Sequence, residues 1–153
     1  TDTPIWISGI GQKTNSASFT KNDLTNLSST ISASKDAYAM SNTSSAEIDV
    51  AEVHDAFSVC ELMAVTDLGL TEESSSTEFI RNLFNTGDRK INPRGGLIGS
   101  GHPLGATGIS QIIEITQQLQ NNAERRQIPN VKKGLVHNMS AAATSSTVLI
   151  LES

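Results

Sequence analysis

The chain has 153 residues, with 11 basic and 16 acidic side chains and a formal net charge of -5. This length suits one ordinary domain with one packed core. Lys and Arg do not cluster and the net charge is negative, so the sequence shows no basic surface that would bind the phosphate backbone of a nucleic acid or an acidic lipid surface. Neither nucleic acid nor a membrane is therefore a predicted partner.

The cysteine count and the chain start bear on location. A single cysteine, Cys60, cannot form an internal disulfide, so a reducing compartment is permitted. No signal-peptide pattern is seen, and no apolar run approaches the roughly 20 residues of a spanning helix. We predict a cytoplasmic protein. Because Thr1-Asp2-Thr3-Pro4 leads into a strand pattern without a starting methionine, we expect a processed chain or part of a longer polypeptide.

The first third of the chain predicts strand, helix and strand. Residues 4–9 alternate as a short strand that Gly9-Ile10-Gly11 breaks. Apolar positions from Asn22 to about Asn42 recur near the helical period and predict an amphipathic helix, with Asn22 or Asp23 as its cap. Residues 48–53 alternate apolar and acidic side chains, as a half-buried strand ending at His54 does.

The middle of the chain predicts two helices. Residues 57–68 have the spacing of one helix face, closed by Gly69, with Cys60 toward the core. A polar, Ser-rich connection then leads to a shorter predicted helix at 79–84, which Gly87 stops.

The last third predicts an irregular loop, a helix and two strands. Glycines and prolines crowd residues 93–105, so this segment is expected to be irregular. Residues 109–119 form a helical stripe, and the segment through Arg126 is expected to be solvated. Residues 134–137 and 147–151 predict two strands around a small-residue turn.

Strands that alternate with helices predict one α/β domain, with helices on both faces of a sheet. Such folds place chemistry on loops that leave strand ends. His54, the 93–105 loop and His137 are predicted to lie at such ends.

The glycine-rich run from Gly95 to Gly108 permits positive φ angles and close approach of its backbone to another molecule. Pro103 suits a first helical turn, which would place His102 at a helix amino terminus, where free amides favour an anion. One interpretation is a proton-transferring or oxyanion-holding His102; the other is a glycine-rich turn with a structural His. A phosphate-binding loop fits poorly, since no Gly-Lys-Ser/Thr follows.

Four sequence runs carry a resemblance to a family. Asn92-Pro93-Arg94-Gly95-Gly96 and Gly101-His102-Pro103-Leu104-Gly105-Ala106-Thr107-Gly108 resemble the "NxxGG…GHPxGATG" signature of thiolases. His54-Asp55-Ala56-Phe57 is similar to the "HDxF" loop of thiolases related to sterol carrier proteins and of their archaeal relatives, where the better-known branch has "NEAF". Gly134-Leu135-Val136-His137-Asn138 is similar to the "GLAHN" of the same branch. The resemblance covers nearly the whole chain and implies the carboxyl-terminal half of a thiolase-type acyl-CoA acyltransferase, with a mixed sheet, over residues 1–153.

The resemblance also implies roles for single residues. His102 would activate the nucleophile to a thiolate and help to hold the thioester oxygen. His54 would replace the Asn that orders a water or donates to that oxygen; the alternative is a strand-end His bonded to Asp55 or to backbone. Substrate contacts are implied for Phe57, Gly101, Pro103, Asn138 and Ser140.

The resemblance implies what the chain lacks. The family's nucleophilic cysteine lies in an amino-terminal half outside these residues, so we expect that half, or a full-length thiolase-like chain, as a partner in a homo- or hetero-oligomer. An apolar face is then expected to be exposed. Coenzyme A thioester is the implied substrate, with no cofactor and no metal. The acyl chain, the reaction direction and the need for an accessory acyl-CoA-binding protein stay open.

The chain departs from the family at its thiol positions. Ala56 stands where some relatives have the "HDCF" cysteine, and the "CxG" cysteine of the last loop is absent. Cys60 matches neither position and is interpreted as buried packing. His137 falls near the "CxG" position and could serve as the base. Because the last loop lacks the family's glycines, its turn or its approach to substrate is expected to differ.

Two alternatives remain beside the acyltransferase. One is a thiolase-fold aldolase acting on a CoA-linked side chain, which needs a base but no acyl-enzyme. The other is a non-catalytic subunit that packs against a thiolase-type partner. The acidic residues Glu114, Asp55 and Glu61 are interpreted as a solvated helix position, a loop carboxylate that orients His54, and a polar helix position.

Overall fold

A computed structural model of the chain describes residues 3–71, 78, 81 and 90–153. Within these residues a four-stranded sheet has the order β1-β4-β3-β2. The strands are β1 (Trp6–Thr14), β2 (Val50–Glu52), β3 (Lys133–Met139) and β4 (Ser145–Glu152). Strand β4 pairs antiparallel with β1 and with β3, while β2 pairs parallel with β3. The sheet is therefore mixed, as the sequence predicted.

Helices cover both faces of the sheet, which confirms the predicted α/β class. The helices are α1 (Ser28–Ser41), α2 (Ser58–Asp67), α3 (Gly96–Ser100) and α4 (Thr107–Leu119). Short 3-10 turns occur at Phe19–Lys21, Ser45–Glu47, Glu124–Arg126 and Ala141–Ala143. Apolar side chains of α1 and α2 pack with Leu135 and Ile150, and α4 packs with Val136 and Leu151 on the other face. No helix in the described part of the chain is both long enough and apolar enough to cross a membrane.

Strand β1 runs through the two glycines that the sequence predicted as a break. It continues to Thr14, with a register shift between Ile7 and Gly9. A β-carbon at Gly9 would collide with the carbonyl of Ala37, and one at Gly11 with the carbonyl of Ala33. The glycines are thus explained by close packing of α1 on the strand, because a bare Cα lets two backbones approach.

Helix α1 begins at Ser28, later than the predicted start at Asn22. Asp23 does not cap it; its Oδ1 accepts the backbone N–H of Thr25 at 2.9 Å, a local bond that closes a turn instead. The start of α1 is held by Asp67 of α2, whose carboxylate accepts the N–H of Leu27 at 2.6 Å. The buried face of the helix consists mainly of small residues: Ser29, Thr30, Ala33, Ser34 and Ala37.

Arg126 of the segment after α4 folds back to pair with Glu114, so the expectation of a solvated Glu114 is wrong, whereas Glu124 and Arg125 of that segment are exposed as predicted. Glu114 is 1% exposed, and its Oε2 lies 3.0 Å from Arg126 Nη2. Gln118 Nε2 donates to Glu114 Oε1 at 3.0 Å. Burial of a charged carboxylate costs free energy, and it is tolerated when the carboxylate is paired with a cation and hydrogen-bonded, as Glu114 is. Periodicity could not show this pairing, because it marks apolar positions only.

The remaining boundaries shift little. The predicted helix at 57–68 is α2, and Gly69, with φ 70°, follows it as expected. The irregular 93–105 segment contains the five-residue helix α3. The last two strands extend one or two residues beyond their predicted ends on either side. The predicted helix at 79–84 and its stop at Gly87 lie outside the described residues, apart from Arg81.

Candidate active site

Asn92 joins the loop that carries His54 to the glycine-rich loop. The segment before it adds to the edge of β2, where the Asn92 N–H donates to the carbonyl of Ala51 at 2.8 Å. The Asn92 side-chain oxygen accepts the N–H of Val53 at 2.8 Å, and its amide donates to Glu61 Oε1 at 3.1 Å. The backbone immediately before His54 is therefore fixed from the start of the glycine-rich loop. Glu61 is a partner of Asn92 and not only a polar helix position.

Asp55 makes the second connection between the same two loops. Its Oδ1 accepts the N–H of Leu97 at 2.6 Å, and its Oδ2 accepts that of Ile98 at 3.4 Å, so the carboxylate binds the start of α3. A β-carbon at Gly96, whose φ is 61°, would collide with the Asp55 carboxylate. The expectation that Asp55 orients His54 is therefore replaced by a different contact. Free amides at a helix start attract a carboxylate.

The two loops bring His54 and His102 together. Their ring centroids are 4.9 Å apart and the ring planes are nearly perpendicular, at 86°. His54 is 5% exposed, whereas His102 is exposed. The prediction that both imidazoles converge from different loops is confirmed, and the pair offers one buried and one accessible ring at the same place.

His102 is bonded through its Nδ1 to Thr107. Nδ1 lies 2.7 Å from Thr107 Oγ1, and the same hydroxyl lies 3.3 Å from the Pro103 carbonyl, so its single proton has two acceptors. In the tautomer in which the hydroxyl donates to Pro103, His102 carries its proton on Nδ1, and Nε2 keeps a lone pair that can accept a proton.

His54 is held as a neutral ring. Burial lowers its pKa, and the nearby His102 lowers it further, while Asp55 acts in the opposite direction. Its Nδ1 is buried and has no hydrogen-bond partner among the described residues. A buried polar atom left without a partner is costly in a finished core, and in a site it is available to a ligand or a water.

His137 does not lie where the sequence placed it. It belongs to the interior of β3, not to a loop beyond a strand, and its side chain is fully buried. Burial lowers its pKa to about 3, and its Nε2 lies 3.0 Å from Thr30 Oγ1. The ring is thus buried and already near a hydrogen-bond partner at Nε2, and its role as the base stays a prediction. Because helices cover both faces of the sheet, residues 134–137 of β3 are all buried.

The residues with predicted substrate contacts take different positions. Gly101, with φ 88°, and Pro103 flank His102. Phe57 lies at the start of α2 and is 70% exposed. Asn138 donates to Gln111 of α4 at 2.9 Å, beside the turn that follows His102. Ser140 bonds within its own turn, to Thr144 Oγ1 at 2.7 Å. Their roles toward substrate stay predictions.

The last loop closes by a strained turn. Ala143 has φ 51°, in the left-handed region that a non-glycine residue adopts at a cost of roughly 1–2 kcal/mol. The 3-10 turn Ala141–Ala143 thus reaches, without glycine, a conformation that glycine adopts freely.

A buried carboxylate lies behind the glycine-rich loop. Glu52 ends β2 and is fully buried, and its Oε1 accepts the N–H of Arg94 at 3.3 Å. Its Oε2 lies 3.9 Å from Arg94 Nε, and neither atom has a hydrogen-bond partner within the described ranges. Burial raises the pKa of Glu52 to about 7. Nothing in the sequence pattern marks Glu52 as different from the other acidic residues of its segment.

Cys60 packs against the core formed by α1, α2 and the sheet, where it is partly buried. It lines a small, largely apolar cavity with Met63 and Met139. This position agrees with the predicted packing role, since the described residues that line the cavity include no cationic side chain that would activate the thiol.

An apolar groove lies along α4 on the side opposite to α1. It is lined by Leu104, Ile109, Ile112, Val136 and Leu149, among others. Leu104 is 84% exposed and Ile109 is 61% exposed. Large apolar side chains exposed together mark an interaction surface. The predicted exposed apolar face is thus present in the described part of the chain.

The family model described as "Thiolase C-terminal domain-like" matches residues 11–153. The chain belongs to this family.

Relatives of this thiolase C-terminal domain-like chain agree with the assignment. It is 35% identical over 153 residues to the acetyl-CoA acetyltransferase of Methanothermobacter thermautotrophicus, an alignment covering 98% of the chain and 40% of that protein. It is 40% identical over 119 residues to sterol carrier protein 2 of Rattus norvegicus, covering 76% of the chain and 22% of that protein. The chain therefore spans less than half the length of the relatives that it matches.

A solved structure shares the fold of the thiolase C-terminal domain-like chain. The structure titled "Ltp2-ChsH2(DUF35) aldolase" superposes with a TM-score of 0.83 at 23% identity, over 98% of this chain and 40% of that one. At this identity the likeness concerns the fold alone.

Several residues that build the site were missed or misread from sequence. In the sequence Asn92 and Gly96 stand out only as parts of a motif, and the predicted partner of Asp55 is His54 instead of the start of α3. The signal was present in the paired glycines: a residue with no β-carbon at 96 leaves room for a carboxylate from another loop. Thr107 gave no separate signal, because a hydroxyl in a glycine-rich run is typical of many turns.

Proposed function

We propose that this chain is the carboxyl-terminal half of a thiolase-type acyl-CoA acyltransferase, which performs Claisen condensation or thiolysis of a 3-oxoacyl-CoA. The contact of His54 with His102, at a centroid distance of 4.9 Å, is the observation that carries the proposal. Two imidazoles from separate loops, one of them exposed, form a site that can act on one carbonyl oxygen. The nucleophilic cysteine would be supplied by an amino-terminal half.

His102 is proposed as the base that activates this cysteine. In the tautomer whose Nδ1 donates to Thr107, the Nε2 lone pair is free and can accept the thiol proton. The protonated ring then carries an N–H toward the reacting group and can donate to the thioester oxygen as negative charge develops there. One ring therefore serves both the proton transfer and the oxyanion, in successive steps.

His54 is proposed as a fixed donor or water ligand for the same oxygen. Its neutral state follows from burial, which lowers its pKa, and a neutral imidazole can donate from one nitrogen and accept at the other. The bonds of Asn92 to Val53 and of Asp55 to α3 hold its loop before substrate binds. Preorganised donors of this kind are effective because they need no rearrangement during the reaction.

The apolar groove along α4 is proposed as part of the contact with the amino-terminal half. Ile109 and Ile113 lie on the exposed side of α4, and Leu104 projects from the His102 loop beside them. A partner that covers this surface would also approach His102, so association and completion of the site would be one event. Coenzyme A thioester as substrate, the absence of a cofactor or metal, and the cytoplasmic location stay predictions.

The decisive experiment measures acetoacetyl-CoA thiolysis in the complex of this chain with the chain or segment that carries the nucleophile. The His102→Ala variant should lower kcat by about 10²–10³, the loss typical of an oxyanion donor. Ser100→Ala is the matched control, since its hydroxyl lies in the same loop and bonds only the Arg94 carbonyl among its described contacts. Its turnover should stay near that of the unsubstituted chain.

Two outcomes would contradict the proposal. Unchanged turnover in His102→Ala would support a non-catalytic subunit. A partner with no cysteine at the nucleophile position would support the aldolase alternative, in which carbon–carbon cleavage needs a base but no acyl-enzyme.

A further inference from the structure

A buried chain of hydrogen bonds runs from the last loop to the backbone of His54. Ser29 Oγ donates to the Ala143 carbonyl at 2.6 Å and lies 2.7 Å from Ser146 Oγ. Ser146 Oγ lies 2.9 Å from Thr30 Oγ1, which lies 3.0 Å from His137 Nε2. At the other side of the ring, the His54 N–H donates to His137 Nδ1 at 3.5 Å. The side chains that form this series of hydrogen bonds are all 0–1% exposed: Ser29, Thr30, His137 and Ser146.

The direction of every bond in the chain follows from its two ends. A carbonyl can only accept, so the single proton of Ser29 goes to Ala143, and Ser146 must donate to Ser29. Thr30 must then donate to Ser146, which leaves its oxygen to accept from His137 Nε2–H. A neutral ring protonated at Nε2 has its lone pair on Nδ1. The His54 N–H, which can only donate, meets that lone pair.

This agreement between the two ends is informative, because each end fixes the tautomer independently. Read from Ala143, the chain requires the Nε2–H tautomer of His137. Read from His54, it requires an acceptor at Nδ1, which is the same tautomer. The low pKa of the buried ring keeps it neutral through the physiological range.

We propose that His137 is a positioning residue, which fixes the backbone of His54 through the chain Ala143, Ser29, Ser146, Thr30 and His137 and thereby sets the His54 ring against His102. The inference rests on the proposed function only for its catalytic meaning. Three side chains then hold the His54 loop by hydrogen bonds: Asn92, Asp55 and His137. His137 also couples that loop to the strained turn at Ala143.

Two substitutions of His137 distinguish the role of Nδ1 from the role of Nε2. In His137→Asn the side-chain oxygen can take the place of Nδ1 and still accept from the His54 N–H. In His137→Gln the side-chain amide can take the place of Nε2 and still donate to Thr30, but nothing replaces Nδ1. A purely structural role would be disturbed by both changes, whereas a positioning role is rescued by Asn alone.

The proposal is tested by NMR of the imidazole nitrogens and of the backbone amides. In the unsubstituted chain His137 should carry its proton on Nε2 and stay neutral above pH 4, whereas Nδ1–H would overturn the inference without any variant. In His137→Gln the His54 amide should exchange about tenfold faster, as expected for the loss of one net hydrogen bond, with amides at Ile150 unchanged. In His137→Asn the exchange rates of the His54 and Ile150 amides should stay within about twofold of those in the unsubstituted chain, which is less than the loss of one hydrogen bond would cause.

The titration of His54 provides the second readout. The groups that face it are His102, Asp55 and His137, so its midpoint reports the placement of the ring among them. The midpoint should move in His137→Gln and not in His137→Asn. Equal midpoints in both variants, or equal losses that extend to Ile150, would overturn the positioning role. Because none of these readouts needs turnover, a failed thiolysis assay would refute the proposed function and leave this result standing.

Should His137→Gln not fold, Thr30→Val removes the acceptor of Nε2–H at nearly constant volume. The His54 N–H still requires a lone pair at Nδ1, so the His137 ring should keep the Nε2–H tautomer while its Nε2–H exchanges faster and the sheet amides stay protected. A switch to the Nδ1–H tautomer in Thr30→Val would contradict the contact with the His54 N–H.

Discussion

Replacement of Glu52 by Gln should change the pH dependence of stability in a definite direction. Burial raises the pKa of this carboxyl from 4.5 to about 7 in the folded chain. Below pH 4.5 the carboxyl is protonated in both the folded and the unfolded chain, so its ionisation does not lower the free energy of unfolding. As the pH rises above 4.5 the unfolded chain loses the proton first, so unfolding becomes more favourable until the pH passes about 7.

The size of the effect follows from the same two values. At about 1.4 kcal/mol for each pH unit between 4.5 and about 7, the native chain should lose about 3 kcal/mol relative to Glu52→Gln. The nearby Arg94, 3.9 Å from Oε2, is already included in the raised value. Only the change with pH is predicted, because the substitution also alters the contact of the side chain with Arg94.

The assay is urea unfolding of both chains at a series of pH values from 4 to 8, compared by the free energy of unfolding. Glu47→Gln is the control: bonds to Ser44 and Lys133 lower the pKa of Glu47 to about 2, so its contribution changes only between pH 4.5 and about 2, and its difference from the native chain should stay nearly flat above pH 4.5. A difference between the native chain and Glu52→Gln that stays flat between pH 4 and 8 would refute the reasoning.

Two further predictions concern packing and association. Gly11→Ala should destabilise the chain by about 1–3 kcal/mol or more, because its β-carbon meets the Ala33 carbonyl, whereas Gly99→Ala, with open space around it, should be tolerated; urea unfolding compares them. Ile109→Ser should weaken copurification with the nucleophile-bearing half while leaving the melting temperature within a few degrees, and Met40→Ser, equally exposed on α1, should change neither. Equal binding by both exposed-site variants would argue against the α4 groove as the contact.

The order of elements and the α/β class could be predicted from sequence because they depend on hydrophobic periodicity, which each segment carries locally. The boundaries that failed depend on contacts between distant segments. Gly9 and Gly11 look like breakers along the chain, but the packing of α1 on β1 requires them. Asp23 looks like a helix cap, but a local bond to Thr25 competes for it.

The site was predictable in part for a different reason. The convergence of His54 and His102 came from the resemblance of two loops to thiolase signatures, not from periodicity. What holds the loops together, namely the bonds of Asn92 and Asp55, is a matter of tertiary geometry. The misplacement of His137 shows the limit: a motif fixed its position in the chain, but the packing of helices on both faces of β3 buries the ring.

The central claim is that two imidazoles in contact act on the same thioester oxygen, and a double-mutant cycle on kcat tests it most directly. His54→Ala, His102→Ala and the double variant would be compared in acetoacetyl-CoA thiolysis by the complex with the nucleophile-bearing half. Groups that act as one unit give strongly non-additive losses, so the double variant should be no slower than about the worse single variant. A loss equal to the product of the two single losses would mean that the rings act independently, and two unimpaired single variants would mean that they do not act at all.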